Sequence, residues 1–218
     1  MEELPWMGLG LSTNLGPRDR PDPWRLHDAR PDLFDFVEYS APLSLEAARA
    51  SAARMEVLLA RRDDLPAIFH PVHLNLWGPE LEPAADLAAL RDHLRAVGSP
   101  WVGNDVGWWH RRGVPFPGHL YVAPPFDTRG VEQCAAHAAH VQAAIDVPLL
   151  LENPAVLHRD GGMHVLDFLA ALHARTGCGI LLDLGHLLAW QLVHGLPPTA
   201  GLDGFPLEGV VEIHVAGG

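Results

Sequence analysis

Short runs of Val, Ile, Leu and Phe alternate along this chain with longer stretches rich in Ala, Leu and Arg. The short runs predict seven strands, over 7–12, 34–39, 67–76, 101–106, 149–152, 179–184 and 210–215. They are short and nearly continuously apolar, as strands covered on both faces must be. Between them the pattern predicts helices over 44–62, 83–97, 131–145, 165–175 and 186–194. The first of these opens on Ser44 and carries Glu46 in its first turn, a capping arrangement that starts a helix.

Strands that alternate with helices build a parallel sheet. Seven of them in a chain of this size fit an α/β fold of the TIM type, a (β/α)8 barrel, better than a doubly wound sheet. A dinucleotide-binding fold would place a glycine fingerprint after its first strand. Gly8 and Gly10 are present, but Thr13 stands where the third glycine belongs, so that reading is set aside. We expect one barrel domain over residues 1–218. The last residue, Gly218, comes just after the seventh strand, so the barrel is expected to lack its last strand and helix through C-terminal truncation.

Functional groups of such barrels gather at the C-terminal ends of the strands, and there this sequence repeatedly places metal-competent residues. His70 and His73 lie in IFHPVHLNL, Asn104 and Asp105 end WVGND, and Glu152 and Asn153 end LLLEN. Asp183 and His186 close ILLDLGH, and His214 sits in VEIHVAGG beside Glu212. Each has a bland explanation when taken alone. A histidine in an apolar strand is commonly a hydrogen-bonded core residue, and Asp183 or Asp105 can cap a following helix. Five strands ending this way are harder to dismiss. An ionisable group buried without a partner costs several kcal/mol, and converging carboxylates repel one another. A multivalent cation relieves both costs. Imidazole and carboxylate ligands without thiolate suit Fe, Mn or Zn. Six candidates, namely His70, Asp105, Glu152, Asp183, His186 and His214, exceed the four ligands of one tetrahedral zinc. Two or more bridged ions are the simplest use of them.

The remaining histidines, among them His93, His119, His158, His164, His173 and His194, read as surface or loop residues, and His137 and His140 as solvated positions on an outer helix. Trp101, Trp108 and Trp109 either line a pocket for a peptide or aromatic group or cover the rim.

Composition narrows the partners. The chain has 218 residues, 48% of them hydrophobic, which is enough for a sizeable core. Its net charge is −12, and every basic residue is Arg. Such a balance disfavours nucleic acid and anionic membranes as partners. Cys134 and Cys178 are too few for a disulfide framework and read as buried small hydrophobes. No secretory signal pattern and no membrane-length apolar run appears, so a cytoplasmic protein is expected.

The order MGLGLS, DFVEYS, HPVHLNL, VGNDVGW, VAPPFDTRGVEQCAAHAAHVQ, LLLENPA, GILLDLGHL, VEIHVAGG resembles the DUF692 (UPF0276) proteins. These are multinuclear non-haem iron-dependent oxidases, related to the methanobactin-maturation oxidase, within the xylose-isomerase-like barrels. ENP and EIHVAGG at this separation carry most of the resemblance. It implies a TIM-like barrel with two or three irons. It also implies dioxygen chemistry at a cysteine of a ribosomally made peptide, often with a partner protein that binds the leader. By position it makes metal ligands of His70, Glu152, Asp183 and His214. Glu38, His73, Asn104, Asn153 and Glu212 are expected to support those ligands or the substrate.

Two departures stand out. The family's fourth strand commonly ends in Ser-Asp-His, where this chain has Gly103, Asn104 and Asp105. The family's Asp-Val-Asn-Asn is here Asp183-Leu184-Gly185-His186, a spelling closer to xylose isomerase and endonuclease IV, in which both Asp and His bind metal. The family's later Asp-x-His ligands would lie past Gly218.

The expected function is therefore an iron-dependent peptide oxidase, with two or three Fe ions (or Zn or Mn in their place). The alternatives are a Mn- or Zn-dependent sugar isomerase or phosphodiesterase, and a non-catalytic metal- or peptide-binding barrel.

Overall fold

The computed structural model describes residues 4–16, 22–155 and 160–215, with the side chain of His119 excepted. His158 lies outside the described residues. Among the described residues nine strands are formed: β1 (Gly10–Thr13), β2 (Phe36–Ala41), β3 (Ala67–Pro71), β4 (Val102–Asp105), β5 (His110–Arg111), β6 (Val114–Pro115), β7 (Leu149–Glu152), β8 (Gly179–Asp183) and β9 (Val210–His214). Seven helices accompany them: α1 (Pro23–Ala29), α2 (Leu45–Ser51), α3 (Met55–Arg61), α4 (Ala84–Val97), α5 (Thr128–Gln142), α6 (Val165–Thr176) and α7 (Leu184–Val193). The main sheet has the order β1-β2-β3-β4-β7-β8-β9, while β5 and β6 form a separate antiparallel hairpin. The pairings β1–β2, β2–β3, β3–β4, β7–β8 and β8–β9 are parallel. Sequential order with parallel pairing is what repeated strand–helix units produce.

The chain divides into two compact units. The first comprises Met1–Val72, Pro83–Val102 and Ala144–Val147. It contains β1 to β3, with α4 packed against β3 and with α2 and α3 packed against α4. Val37, Ile68 and Phe69 are almost wholly removed from water, because the helices cover a sheet whose strands need apolar residues on both faces. Tyr39 stacks on Phe69, with ring centroids 5.1 Å apart. Its hydroxyl meets His93 Nε2 at 2.9 Å, and His93 Nδ1 donates to the Leu43 carbonyl at 3.1 Å. His93 is thus a fully buried, neutral connector and not the surface residue its sequence context suggests.

The second unit comprises His73–Glu82, Gly103–Ala143 and Pro148–Gly218. β7 and β8 are buried along their whole length, with α5 and α6 packed against β7, and α6 also against β8. Gly177 ends α6 in the left-handed conformation at φ 70°, donating its N–H to the His173 carbonyl, a stop that a side-chain-bearing residue adopts only at a cost. On α5, His137 and His140 face inward. His137 meets the Asn75 and Gly78 carbonyls at 3.3 and 3.1 Å, and His140 Nε2 donates to the Glu82 carbonyl at 2.8 Å. The expectation of two solvated histidines is corrected by these bonds, which hold the loop after β3.

Other differences from the sequence pattern are local. The run over 44–62 is two helices, because Ala52 takes an extended conformation and Ser51 Oγ bonds back to the Ala47 carbonyl at 2.8 Å. β3 stops at Pro71 instead of continuing to residue 76, and His73 lies at φ 67°. Asp105 caps no helix, since the β5–β6 hairpin follows it. α1, begun by the Asp22 side chain and Pro23, was not expected at all.

Burial lowers the His93 pKa to about 4. The unfolded chain therefore takes up a proton that the folded chain refuses. This contribution is complete above the ordinary histidine value of about 6.5 and is lost as pH falls from there through about 4. Urea unfolding of the wild type should show a loss of about 2 kcal/mol from this residue between pH 7 and pH 5. His93→Leu should be less stable at pH 7 yet lose less over that interval. An unchanged pH slope in His93→Leu would contradict the assignment.

Candidate metal centre

The residues that end β4, β7, β8 and β9 carry the chemistry of the second unit. Asp105, Glu152 and Asp183 are the last residues of their strands, and His214 is the last of β9. Their carboxyl-bearing members are buried, with Glu152 only 1% exposed. Strand burial forces this. In a fully covered strand, the last residue before the loop is still in the interior, so a polar group placed there is held away from bulk water.

His186 gathers the set. It lies on the first turn of α7, a helix capped by Asp183, whose Oδ1 accepts from His186 N at 2.7 Å. The capping role and the candidate ligand role therefore coexist in one side chain. His186 Nδ1 donates to the Asn153 carbonyl at 3.0 Å, which fixes the proton on Nδ1 and leaves Nε2 as the ligand nitrogen. Nε2 stands 3.7 Å from Asp183 Oδ2, and Nδ1 stands 3.4 Å from Glu152 Oε1 and 3.7 Å from Asp105 Oδ1. His214 Nδ1 lies 3.5 Å from Glu152 Oε1 and 3.8 Å from Asp183 Oδ2, with Glu212 Oε1 3.8 Å from its Nε2. One ligand atom from each of Glu152, Asp183 and His186 lies within 4.8 Å of the others. Bonds of about 2.1 Å allow two ligands of one ion to stand up to about 4.2 Å apart. The donor set therefore fits a hard or borderline cation with small adjustments, and its mixture of imidazole and carboxylate is that of Fe, Mn or Zn sites.

The supporting residues are also where the strand-end pattern puts them. Asn153 clips β7 to β8: its Nδ2 donates to the Asp183 carbonyl at 2.9 Å, and its Oδ1 accepts from Asp183 N at 2.8 Å. Asn104, fully buried, donates to the carbonyls of Leu74 and Asp105. His73 lies with its ring 6.3 Å from that of Trp109. In the first unit, His70 Nδ1 donates to Glu38 Oε1 at 3.1 Å, the carboxylate–histidine pattern that directs the other ring nitrogen toward a metal.

Tyr121 was missed by the sequence reading. Its hydroxyl donates to Asp105 Oδ1 at 3.2 Å and accepts from Ala155 N, and its ring lies 4.3 Å from that of Trp109. Burial first, then the Asp105 carboxylate, push the phenol well above its ordinary pKa, so it stays protonated. The only signal available was a tyrosine between two elements, in HLYVAPPF. Of the tryptophans, Trp101 is core, Trp108 packs edge-on against Phe116, and Trp109 alone joins Tyr121. Cys134 and Cys178 are buried, and burial raises both thiols.

A family model described as "RiPP precursor modification enzyme MbnB/TglH/ChrH" matches residues 9–218. The chain belongs to this family. The UPF0276 protein of Paraburkholderia phytofirmans is 34% identical over 162 residues, covering 73% of this chain and 52% of that protein. The UPF0276 protein of Caulobacter vibrioides is 30% identical over 219 residues, covering 98% of this chain and 73% of that protein. The chain thus spans about half the length of the first relative and about three quarters of the second. Among solved structures, endonuclease IV from Thermus thermophilus is similar, with a TM-score of 0.56 and 22% identity, over 94% of this chain and 74% of that one. The likeness to that structure shows a TIM-type α/β barrel fold. No helix among the described residues is long and apolar enough to cross a membrane.

Asn153→Ala removes both partners of the Asp183 backbone and leaves a buried N–H and C=O unsatisfied. The expected cost is about 2–4 kcal/mol, read as a melting temperature lower by roughly 5–10 °C. A variant that melts with the wild type would show that the clip contributes nothing.

Proposed function

We propose that this chain is a metal-dependent oxidase that modifies a ribosomally made precursor peptide, at a cysteine and with dioxygen, using two or three iron ions. The observation that carries the reading is the convergence of Asp105, Glu152, Asp183, His186 and His214 within one compact unit, in a chain of the MbnB/TglH/ChrH family. These five are assigned as metal ligands. His70, in the first unit, is assigned as a ligand by its place in the third-strand motif alone, with Glu38 holding its Nδ1.

Iron bound there supplies the redox capacity and the affinity for thiolate and dioxygen that no side chain offers. The remaining roles fall to the chain itself. Asn153 and Glu212 orient His186 and His214. Trp109 and Tyr121 provide a flat apolar wall for a peptide side chain, with His73 at its edge. Burial of Glu152 and Asp183 limits water at the reacting centre. A separate partner that holds the leader of the precursor is part of the proposal. So is a cytoplasmic location, where thiols stay reduced.

A second reading keeps one specific support. The Asp183-x-x-His186 pair, spelled as in sugar isomerases and endonuclease IV, does bring both side chains to one place. A Mn- or Zn-dependent isomerase or phosphodiesterase would use the same ligands without oxygen.

The test is anaerobic loading with Fe(II), metal analysis and Mössbauer spectroscopy, followed by exposure to dioxygen with a Cys-containing precursor peptide and its leader-binding partner. Two or three irons per chain and an oxidative mass change on the peptide are expected, both lost in Glu152→Ala. Uptake of a single zinc ion and no iron would end the proposal. Oxygen-independent turnover of a sugar would favour the second reading.

A further inference from the structure

Tyr121 is held more firmly than a rim residue needs to be. Its backbone neighbours pair antiparallel with the segment before the hairpin: Trp108 N donates to the Val122 carbonyl at 2.9 Å, and Val122 N donates to the Trp108 carbonyl at 3.0 Å. Its ring lies against Trp109 on one side. On another it lies so close to Gly107 that a Cβ there would stand 2.4 Å from the ring. A flexible tail residue would tolerate a side chain at Gly107; this ring leaves no room for one. All of these restraints serve one hydroxyl, which joins two candidate ligand loops. It donates to Asp105 Oδ1 at the end of β4. It accepts from Ala155 N in the Glu152-Asn153-Pro154 turn at the end of β7.

We propose that Tyr121 is a positioning residue of the metal centre, a clamp that sets the plane of the Asp105 carboxylate and ties it to the turn carrying Glu152. The inference rests on the metal reading above and deepens it. A phenol O–H engaged with Oδ1 draws charge onto that oxygen and orients the carboxylate, so Asp105 meets a cation through one defined oxygen and not as a loose bidentate group. The N–H of Ala155 on the same phenol oxygen couples this geometry to the neighbouring turn. Removing the hydroxyl while keeping the ring takes this donor away from Asp105 Oδ1 and deprives Ala155 N of its acceptor. It leaves the aromatic stack intact.

The experiment is titration of the full chain with Co(II), followed by its d–d absorption and by chelator competition. Tyr121→Phe, with an unchanged circular dichroism spectrum, is expected to bind Co(II) about 10–100-fold more weakly and to show a shifted d–d band. Asp105→Asn should also bind weakly, and Tyr121→Phe added to it should cause no further loss, because the clamp acts through Asp105. Co(II) binding by Tyr121→Phe that matches the wild type in affinity and spectrum would overturn the inference while leaving the metal reading standing. Wild-type protein that takes up no Co(II) would remove both.

A measurement without a variant at the site guards against misfolding. The chain has two tyrosines, so labelling with 13Cζ-tyrosine gives two resonances, which Tyr39→Phe assigns. Zn(II) should move the Tyr121 resonance and leave that of Tyr39 in place. A Tyr121 resonance that stays still while Zn(II) is bound would also overturn the inference.

Discussion

The structure of the second unit depends on how buried carboxylates at strand ends are accommodated. Asp105, Glu152, Asp183 and Glu212 are all withdrawn from water, and each buried charge without compensation costs several kcal/mol. The surrounding polar groups are arranged to limit that cost. The Asp183 carboxylate caps α7, and Asn153 ties its backbone to β7. Asp105 takes the Tyr121 hydroxyl. Two imidazoles stand within 3.4–3.8 Å of Glu152 and Asp183. What these measures do not remove is the mutual repulsion of the carboxylates, which the proposed multivalent cation would relieve.

The same constraint explains the histidine distribution. Histidines with a structural role engage backbone carbonyls or a neutral side chain: His93 with Leu43 and Tyr39, His137 with Asn75 and Gly78, His140 with Glu82. Burial lowers the pKa of His93 and His137, which suits neutral connectors. His186 and His214 instead face carboxylates. His110 is intermediate in kind. It donates from Nε2 to the buried Glu82 at 2.8 Å and accepts from Gly113 N at Nδ1, so it is a fixed strut under the β5–β6 hairpin. The hairpin in turn places Trp109 beside Tyr121. Support for the site therefore extends from α5, through the loop after β3, to the hairpin, all within one unit.

Fold and function separate cleanly here. Likeness to endonuclease IV at 22% identity speaks for the barrel architecture, and barrels of one architecture host unrelated chemistries. Family membership rests on the match over residues 9–218. A carboxylate and an imidazole three residues apart on a strand-to-helix junction meet whatever reaction follows, because the helix cap brings His186 back over Asp183.

Some of this was determined by the order of residues alone. Completely buried strands need uninterrupted apolar runs, so β7 and β8 were legible to within a residue, as was the partly buried β9 from its Val-Val start, and the polar residue closing each strand marked its end. Glu152, Asp183, His186 and His214 followed from that rule. The tertiary structure decided what depends on long-range contacts. Ser51 splits one helical pattern into two, His73 turns the chain away from β3, and the Ala-rich face of α5 proves to hold inward histidines, because helical periodicity is silent on which Ala-lined face meets a neighbour. Tyr121 was invisible for the same reason. Its hydroxyl is chemically ordinary until folding sets it between Asp105 and Ala155, groups 16 and 34 residues away along the chain.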